Sequence, residues 1–444
     1  MPSRLSRATL TSRPSSRKLL ARLLEVPDLS KEVQALPAPL LGKLIEHVGL
    51  EDAGELVALA TTEQLAGVFE QDLWRSERAG EDERFDAQRF VLWLEVMLEA
   101  GDRFVAERLA ELPQDLVTLA FHRHLLVMSL DDLRAELTAG DDDAESAEKA
   151  FENCLSEELE DFQVIWRGGD GFDHVLAALL AFDRDHHTLC SELLERCASL
   201  SREHLDDNGG LYAVLSSEEM LEADLGAERE ERRAERGFVA PSSAAAFLRL
   251  ARGSASRETP FTEHDPLTRA YFRQLKPGAA PLAASTERAG AGQGLQHLLE
   301  SAGMAEAPRP LLTANARGRK PESPLSDGLR ALRASSPERF AERSEELAYL
   351  SNVLAAGASI DGRRLRPLEA VEHTLEVVGL GLLLAAESAR PSARAAAEVL
   401  ARFPADGLFR LAVAHAQQGD PETKRQIGGE SLNAVRALLK RLRV

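Results

Sequence analysis

The stretch from Leu36 to Trp74, LPAPLLGKLIEHVGLEDAGELVALATTEQLAGVFEQDLW, decides the fold class. It reads as three short amphipathic helices with almost no loop between them. Pro37 stands where a first helical residue would, Leu40, Leu41, Leu44, Ile45 and Val48 share one face, and Gly49 is the stop. A second helix is expected to open at Asp52, with Glu55 reaching back to cap it. The third opens on Thr61 and Gln64, a capping-box pair, and carries Leu65, Val68, Phe69 and Leu73 at helical spacing. None of the three is long enough to be stable alone in water, so each has to bury its stripe on a neighbour. That is the logic of a superhelical or repeat-like module.

Outward from this module the same character continues. Ala, Leu, Glu and Arg dominate, and aromatic residues are only 5% of the chain, which favours helix over sheet. The fold class expected is mainly all-α. It leaves room for one small β-hairpin near 162–166, where FQVIW is β-branched and aromatic and is stopped by Gly168-Gly169. The 444 residues can fill more than one core. Residues 1–17 form a basic tail expected to be disordered, and 18–140 an N-terminal helical, repeat-like domain. Residues 141–276 form a middle helical domain entered through an acidic stretch. Residues 277–325, rich in Ala, Gly, Pro and Ser, are a linker or mobile insertion, and 326–444 a second helical unit. Leu112-Pro113-Gln114-Asp115-Leu116 echoes Leu36-Pro37-Ala38-Pro39-Leu40, and both precede a Leu-rich helix. The charge-alternating AEREERRAER, 227–236, reads as an exposed helix laced with i,i+4 pairs. Gly379 and Gly381, inside an otherwise apolar helix, predict close helix–helix contact or a kink.

Charge and cysteine usage narrow the function classes. A net charge of −20 repels nucleic acid, so none is expected as a partner. Three cysteines, Cys154, Cys190 and Cys197, are too few and too odd in number for a disulfide framework, which points to a reducing compartment. The apolar run Val377–Ala386 covers about half of a membrane span, and no secretory h-region precedes Leu19. The expectation is a cytoplasmic protein with no membrane span. The basic C-terminal helix carries Leu432, Val435, Leu438, Leu439 and Leu442 on one face, which is expected to dock on its own domain.

The segment FDRDHHTLCSELLERC, 182–197, comes nearest to a metal set. On a helix His186, Cys190 and Cys197 fall on roughly one face, and His186 with Cys190 makes the i,i+4 pair that zinc uses. Zinc needs three or four converging donors, and neither CxxC nor HExxH occurs in the chain. Cysteines on a Leu-lined face are ordinary small hydrophobes. These three residues are therefore expected to be core, and no metal, cofactor or catalytic residue is assigned. His122 and His124, two apart, diverge on a helix and cannot share a ligand. Gly168-Gly169-Asp170-Gly171 lacks phosphate-loop spacing and reads as a turn.

Four stretches carry a resemblance: TTEQLAGVFEQDLWRSER (61–78), RFVLWLEVMLEAG (89–101), AERGFVAPSSAAAFL (234–248) and ELAYLSNVLAAGASIDGRRLRPLEAVEHTLE (346–376). On them the chain resembles a bacterial family of unknown function, made of long, Leu-rich helical cytoplasmic proteins. The resemblance implies no activity and no catalytic residues. Stacked short helices offer a broad surface on which side chains can vary. The function expected is therefore a non-catalytic protein-interaction scaffold or regulatory adaptor with a protein partner. The alternative is an enzyme whose polar site lies between the helical domains.

Overall fold

The computed structural model describes residues 28–131, 155–206, 216–253, 261–275, 323–418 and 429–443, with Ala21, Leu23 and Glu25 before them. The expected basic tail, Cys154 and nearly all of the expected 277–325 linker lie outside the described residues. Among those described, the chain up to Arg75 and from Arg84 to Ala227 forms one unit. Ser76–Glu83, the residues from Glu228 to Leu275 and those from Ser323 onward form a second. The stretch 141–276, expected to be one middle domain, is thus divided between the two units.

In the first unit α1 (Leu29–Gln34), α2 (Ala38–Val48), α3 (Gly54–Leu59) and α4 (Thr62–Asp72) follow each other closely. Pro37 is the N-cap of α2, one residue outside the helix, and Gly49 ends it at φ 100. The expected Asp52 cap does not form. Ala53 is the N-cap of α3, and no side chain bonds there. The capping box at α4 does form: the Thr61 N–H donates to Gln64 Oε1 at 3.0 Å, and the Gln64 N–H donates to Thr61 Oγ1 at 3.2 Å. Gln64 does more than cap. Its amide nitrogen donates to the carbonyls of Val33 and Leu36, each at 2.7 Å, and so ties α4 to the end of α1. Gln64→Ala opens the box and leaves those buried carbonyls one donor short. It is expected to cost about 2–3 kcal/mol, read as a lower denaturant midpoint at unchanged m-value. A loss below about 0.5 kcal/mol would show that water takes over the role of the amide.

Beyond α4, β1 (Trp74–Arg75) pairs antiparallel with β2 (Arg84–Phe85), and α5 (Ala87–Glu99), α6 (Asp102–Glu111) and α7 (Gln114–His122) follow. Asp86 caps α5 by accepting from the Arg89 N–H at 3.0 Å. Pro113 is the N-cap of α7, as Pro37 is of α2, so the two echoing Leu-Pro pentapeptides open helices in the same way. Phe69, Phe90, Trp93 and Phe121 pack edge to face in the core, with Phe69 and Trp93 centroids 5.0 Å apart. The indole N–H of Trp93 donates to Asp72 Oδ2 at 2.7 Å, and Arg89 pairs with the same carboxylate.

The chain then enters a sheet larger than the single hairpin expected. β4 (Ser156–Leu159) and β5 (Phe162–Trp166) form that hairpin, but β3 (Leu125–Ser129) pairs antiparallel on the other side of β5. Nothing in LLVMS announces a strand; the open edge of β5 supplies the reason. Gly168, Gly169 and Gly171 are all at positive φ and turn the chain into α8 (Phe172–Asp206), which packs on α6, α7 and β3. That packing is why residues 155–227 join the N-terminal helices rather than a separate domain.

The helix α9 (Ser217–Glu235) contains the charge-alternating stretch except its last residue, Arg236, and one of its arginines is covered where an exposed face is expected. Arg229 is buried, with Nη2 2.7 Å from Glu83, and Arg233 Nη1 lies 2.9 Å from the same carboxylate. Burial pushes the Glu83 carboxyl up, but Arg229 and Arg233, with Arg364, outweigh it and hold it below its ordinary value. Alternating charge along a helix does not by itself say which arginine is covered.

The rest of the second unit comprises α10 (Pro241–Gly253), α11 (Pro266–Gln274), α12 (Pro324–Ser335), α13 (Pro337–Gly357), α14 (Pro367–Ala385), α15 (Ala393–Arg402), α16 (Ala405–Gln418) and α17 (Gly429–Arg441). A small sheet of β6 (Ser359–Ile360), β7 (Arg363–Arg364) and β8 (Leu442–Arg443) joins the loop after α13 to the chain end. Asp361 and Gly362 make the β6–β7 turn at φ 54 and 81, the left-handed geometry that a two-residue hairpin requires. That Asp-Gly pair was a strand signal present in the sequence. Leu432, Val435, Leu438 and Leu442 are buried, so the basic terminal helix docks by its apolar face, as its periodicity predicts.

Candidate functional site

The three residues singled out in 182–197 do not come together. α8 breaks at His186, whose backbone leaves helical geometry at φ −139 and ψ 50, so the i,i+4 relation to Cys190 is lost. The His186 ring rests near Phe182, with centroids 6.0 Å apart. Cys190 Sγ donates to the Leu179 carbonyl at 3.9 Å and Cys197 Sγ to the Thr118 carbonyl at 3.8 Å. Burial pushes both thiols up to about 12, so neither offers a thiolate at neutral pH. His122 and His124 also go separate ways. His122 Nε2 meets Arg167 at 2.9 Å, while His124 stacks on Trp166 and places Nε2 3.0 Å from the Ala87 carbonyl.

The most distinctive surface feature lies in the second unit, on α14. This helix is apolar around most of its circumference. Ala370, Thr374, Val377, Val378 and Gly381 face inward and are buried. Leu368, Leu375, Gly379 and Leu383 fall on another stripe, spaced seven, four and four residues apart, along which Leu383 is buried, Leu375 and Gly379 are half-buried and Leu368 is exposed. Leu375, Gly379, Leu380 and Leu383 floor a groove of about 300 Å³, walled by Leu325 of α12 and Ala434 of α17. Ser323, Glu376 and Ser431 supply the polar rim. A Cβ added at Gly379 would meet nothing within 4 Å, so the absent side chain is what opens the groove. Leu368 continues the stripe past the groove end and is 57% exposed.

What holds α14 in place is α16, and what holds α16 is a buried charge network. A Cβ at Gly381 would stand 2.0 Å from the Leu408 carbonyl oxygen, so the two backbones touch there. Of the two expected outcomes for these glycines, Gly381 gives the close contact. Two residues before Leu408, the neighbour of Gly381 on α16, Asp406 accepts from His264 Nδ1 at 2.7 Å and from the Asp265 N–H at 3.1 Å. Arg410 Nη2 donates to the Glu263 carbonyl at 2.6 Å and pairs with Asp406 at 3.3 Å. On α13, Arg343 pairs with Glu346, donates to the Leu400 carbonyl at 2.9 Å, and Glu346 accepts the Ala405 N–H at 2.6 Å. His264 Nε2 lies 3.4 Å from Glu346 Oε1, so its imidazole stands between two buried carboxylates.

The environment splits these acids. The hydrogen bond to Asp406 raises the His264 pKa, and the charges of Asp406 and Glu346 add to it. Burial pushes Asp406 up, but His264 and Arg410 outweigh it and hold the carboxyl below its ordinary value. Burial dominates at Glu346 and Asp265, and both are raised. Sequence reasoning missed this network because its members lie on separate segments: His264 and Asp406 are 142 residues apart. No local spacing announces such a pairing.

Fold and site together define a mainly α-helical protein of two units, with an apolar groove on the second supported by a buried ion network. The chain belongs to the DUF6178 family, a family of unknown function whose model matches residues 2–418. No curated protein and no solved structure matches it. The family expected from the four quoted stretches is thus the right kind, and those stretches supply core: Phe69, Trp93, Phe247 and Tyr349 are all buried. Among the described residues, no helix is long and apolar enough to cross a membrane.

Proposed function

We propose that this protein is a cytoplasmic, non-catalytic interaction scaffold or regulatory adaptor, and that the α14 groove receives an amphipathic helix of a protein partner. The groove carries this reading. Helix-in-groove recognition uses apolar anchors at i, i+4 and i+7 laid into a cleft of small and aliphatic residues, and Gly379 and Ala434 leave room for them. Charge sets the partner's chemistry. Glu376 on the rim and Glu372 one turn earlier are exposed carboxylates, on a chain of net charge −20. A helix with basic residues beside its apolar stripe fits that rim.

The test compares affinity capture from the native cell by the wild-type chain and by a Gly379→Trp chain, whose indole fills the groove. One protein held stoichiometrically by the wild type and lost by the variant supports the reading, provided that its binding segment is a basic amphipathic helix. A partner retained equally by both sinks the groove as the site. A retained small molecule with no protein favours the alternative, an enzyme.

A further inference from the structure

The kink in α8 and the β4–β5 turn bring together a group that no sequence motif announces. Glu160, Asp183 and His187 each place one donor atom within 4.8 Å of the others. His187 Nδ1 lies 2.7 Å from Glu160 Oε1 and 2.9 Å from Asp183 Oδ1. Neighbouring donors around a divalent ion bound at about 2.0–2.2 Å stand on the order of 3 Å apart, so these separations suit a common ion.

The same separations suit a shared proton, and charge decides between them. Nδ1 carries at most one proton, so two carboxylates close to it compete for a single N–H. Even with the imidazole protonated, the three groups together keep one excess negative charge. A divalent ion with a neutral imidazole cancels both carboxylates and gives every donor its own bond. Ser191 Oγ donates to Glu160 Oε2 at 2.8 Å, which orients that carboxylate and leaves Oε1 for the ion. The His187 side chain is 68% exposed, so water can complete the coordination shell.

We propose that Glu160, Asp183 and His187 form a binding site for a divalent transition ion of the Zn²⁺ or Mn²⁺ class. One imidazole and two carboxylates match the ligand preference of these ions, whereas Ca²⁺ takes oxygen donors only. On binding, the ion replaces the proton on His187 Nδ1, and the proton passes to solvent. The ion then clamps the β4–β5 turn to α8 at its kink. The site uses neither thiol and lies in the first unit, whereas the α14 groove lies in the second, so it stands or falls apart from the adaptor reading.

Isothermal titration of the full chain with ZnCl₂, repeated with MnCl₂, tests it. The wild type is expected to bind one equivalent with an affinity that His187→Gln and Asp183→Asn each reduce at least about tenfold. Cys190→Ser is expected to leave binding unchanged, and CaCl₂ to give no binding that depends on His187. The absence of saturable binding by the wild type overturns the proposal, as does equal binding by His187→Gln and Asp183→Asn. Loss of binding in Cys190→Ser alone also overturns it, because the ion then sits on the thiol face.

Discussion

Gly381→Ala is expected to destabilise the second unit by about 3 kcal/mol, while Gly379→Ala, two residues earlier on the same helix, costs nothing or stabilises by up to about 1 kcal/mol. The opposite signs follow from what the new methyl group meets. At Gly381 it would lie 2.0 Å from the Leu408 carbonyl oxygen and 2.6 Å from its carbon. Backbone cannot rotate aside as a side chain can, so α14 and α16 have to move apart and the packing between them opens. At Gly379 the methyl group meets nothing within 4 Å, and only the helix-propensity gain of Ala over Gly remains. Denaturant midpoints of the two variants check this. Equal midpoints would mean that α14 does not rest on α16 through that glycine.

The second large effect belongs to Asp406. Asp406→Ala removes the carboxylate that His264, Arg410 and the Asp265 N–H share, and leaves the guanidinium of a fully buried arginine without its counter-ion. Breaking a buried pair by deleting one partner costs about 3–5 kcal/mol, because the remaining charge stays desolvated. A pH profile tells the network from mere packing. His264 is raised above its ordinary 6.5, so its stabilising contribution is complete below pH 6.5 and is lost as pH rises through the folded value. Glu346 and Asp265, raised from 4.5 and 3.8, act in the same direction. Asp406, held below 3.8, opposes them, with a contribution present above that value and lost as pH falls through the folded one. Above pH 6.5 the contribution of Asp406 is complete and the raised groups can only lose theirs, so wild-type stability is expected to fall on that limb. His264→Asn flattens it. A wild-type profile that rises from pH 6.5 to 8.5 contradicts the arrangement.

Short-range physics made much of this chain legible. The Thr61–Gln64 box, the Gly49 stop, the Asp86 cap and the apolar stripe of the last helix each depend on residues within one or two helical turns. Composition was sufficient for the mainly α class, and FQVIW for one hairpin. Lost were features whose second half lies far along the chain. LLVMS at 125–129 becomes a strand because the free edge of β5 accepts it, and that edge is formed by residues 162–166.

The chemical sites divide the same way. The segment 182–197 attracted notice for its histidines and cysteines, and helical periodicity put His186, Cys190 and Cys197 on one face. Periodicity assumes an unbroken helix. The departure at His186 cancels that face, and the neighbouring His187 turns instead to Asp183 and to Glu160 on a hairpin 27 residues earlier. The sequence alone therefore determined which segments are helical, where most of them start and stop, and which faces are apolar, because caps and stripes are set by neighbours a few residues away. Which residues of α14 floor a groove, which arginine of α9 is buried, and which carboxylates surround His264 were decided only in the tertiary structure. Those outcomes depend on burial and on partners brought together across scores of residues, where no local spacing reaches.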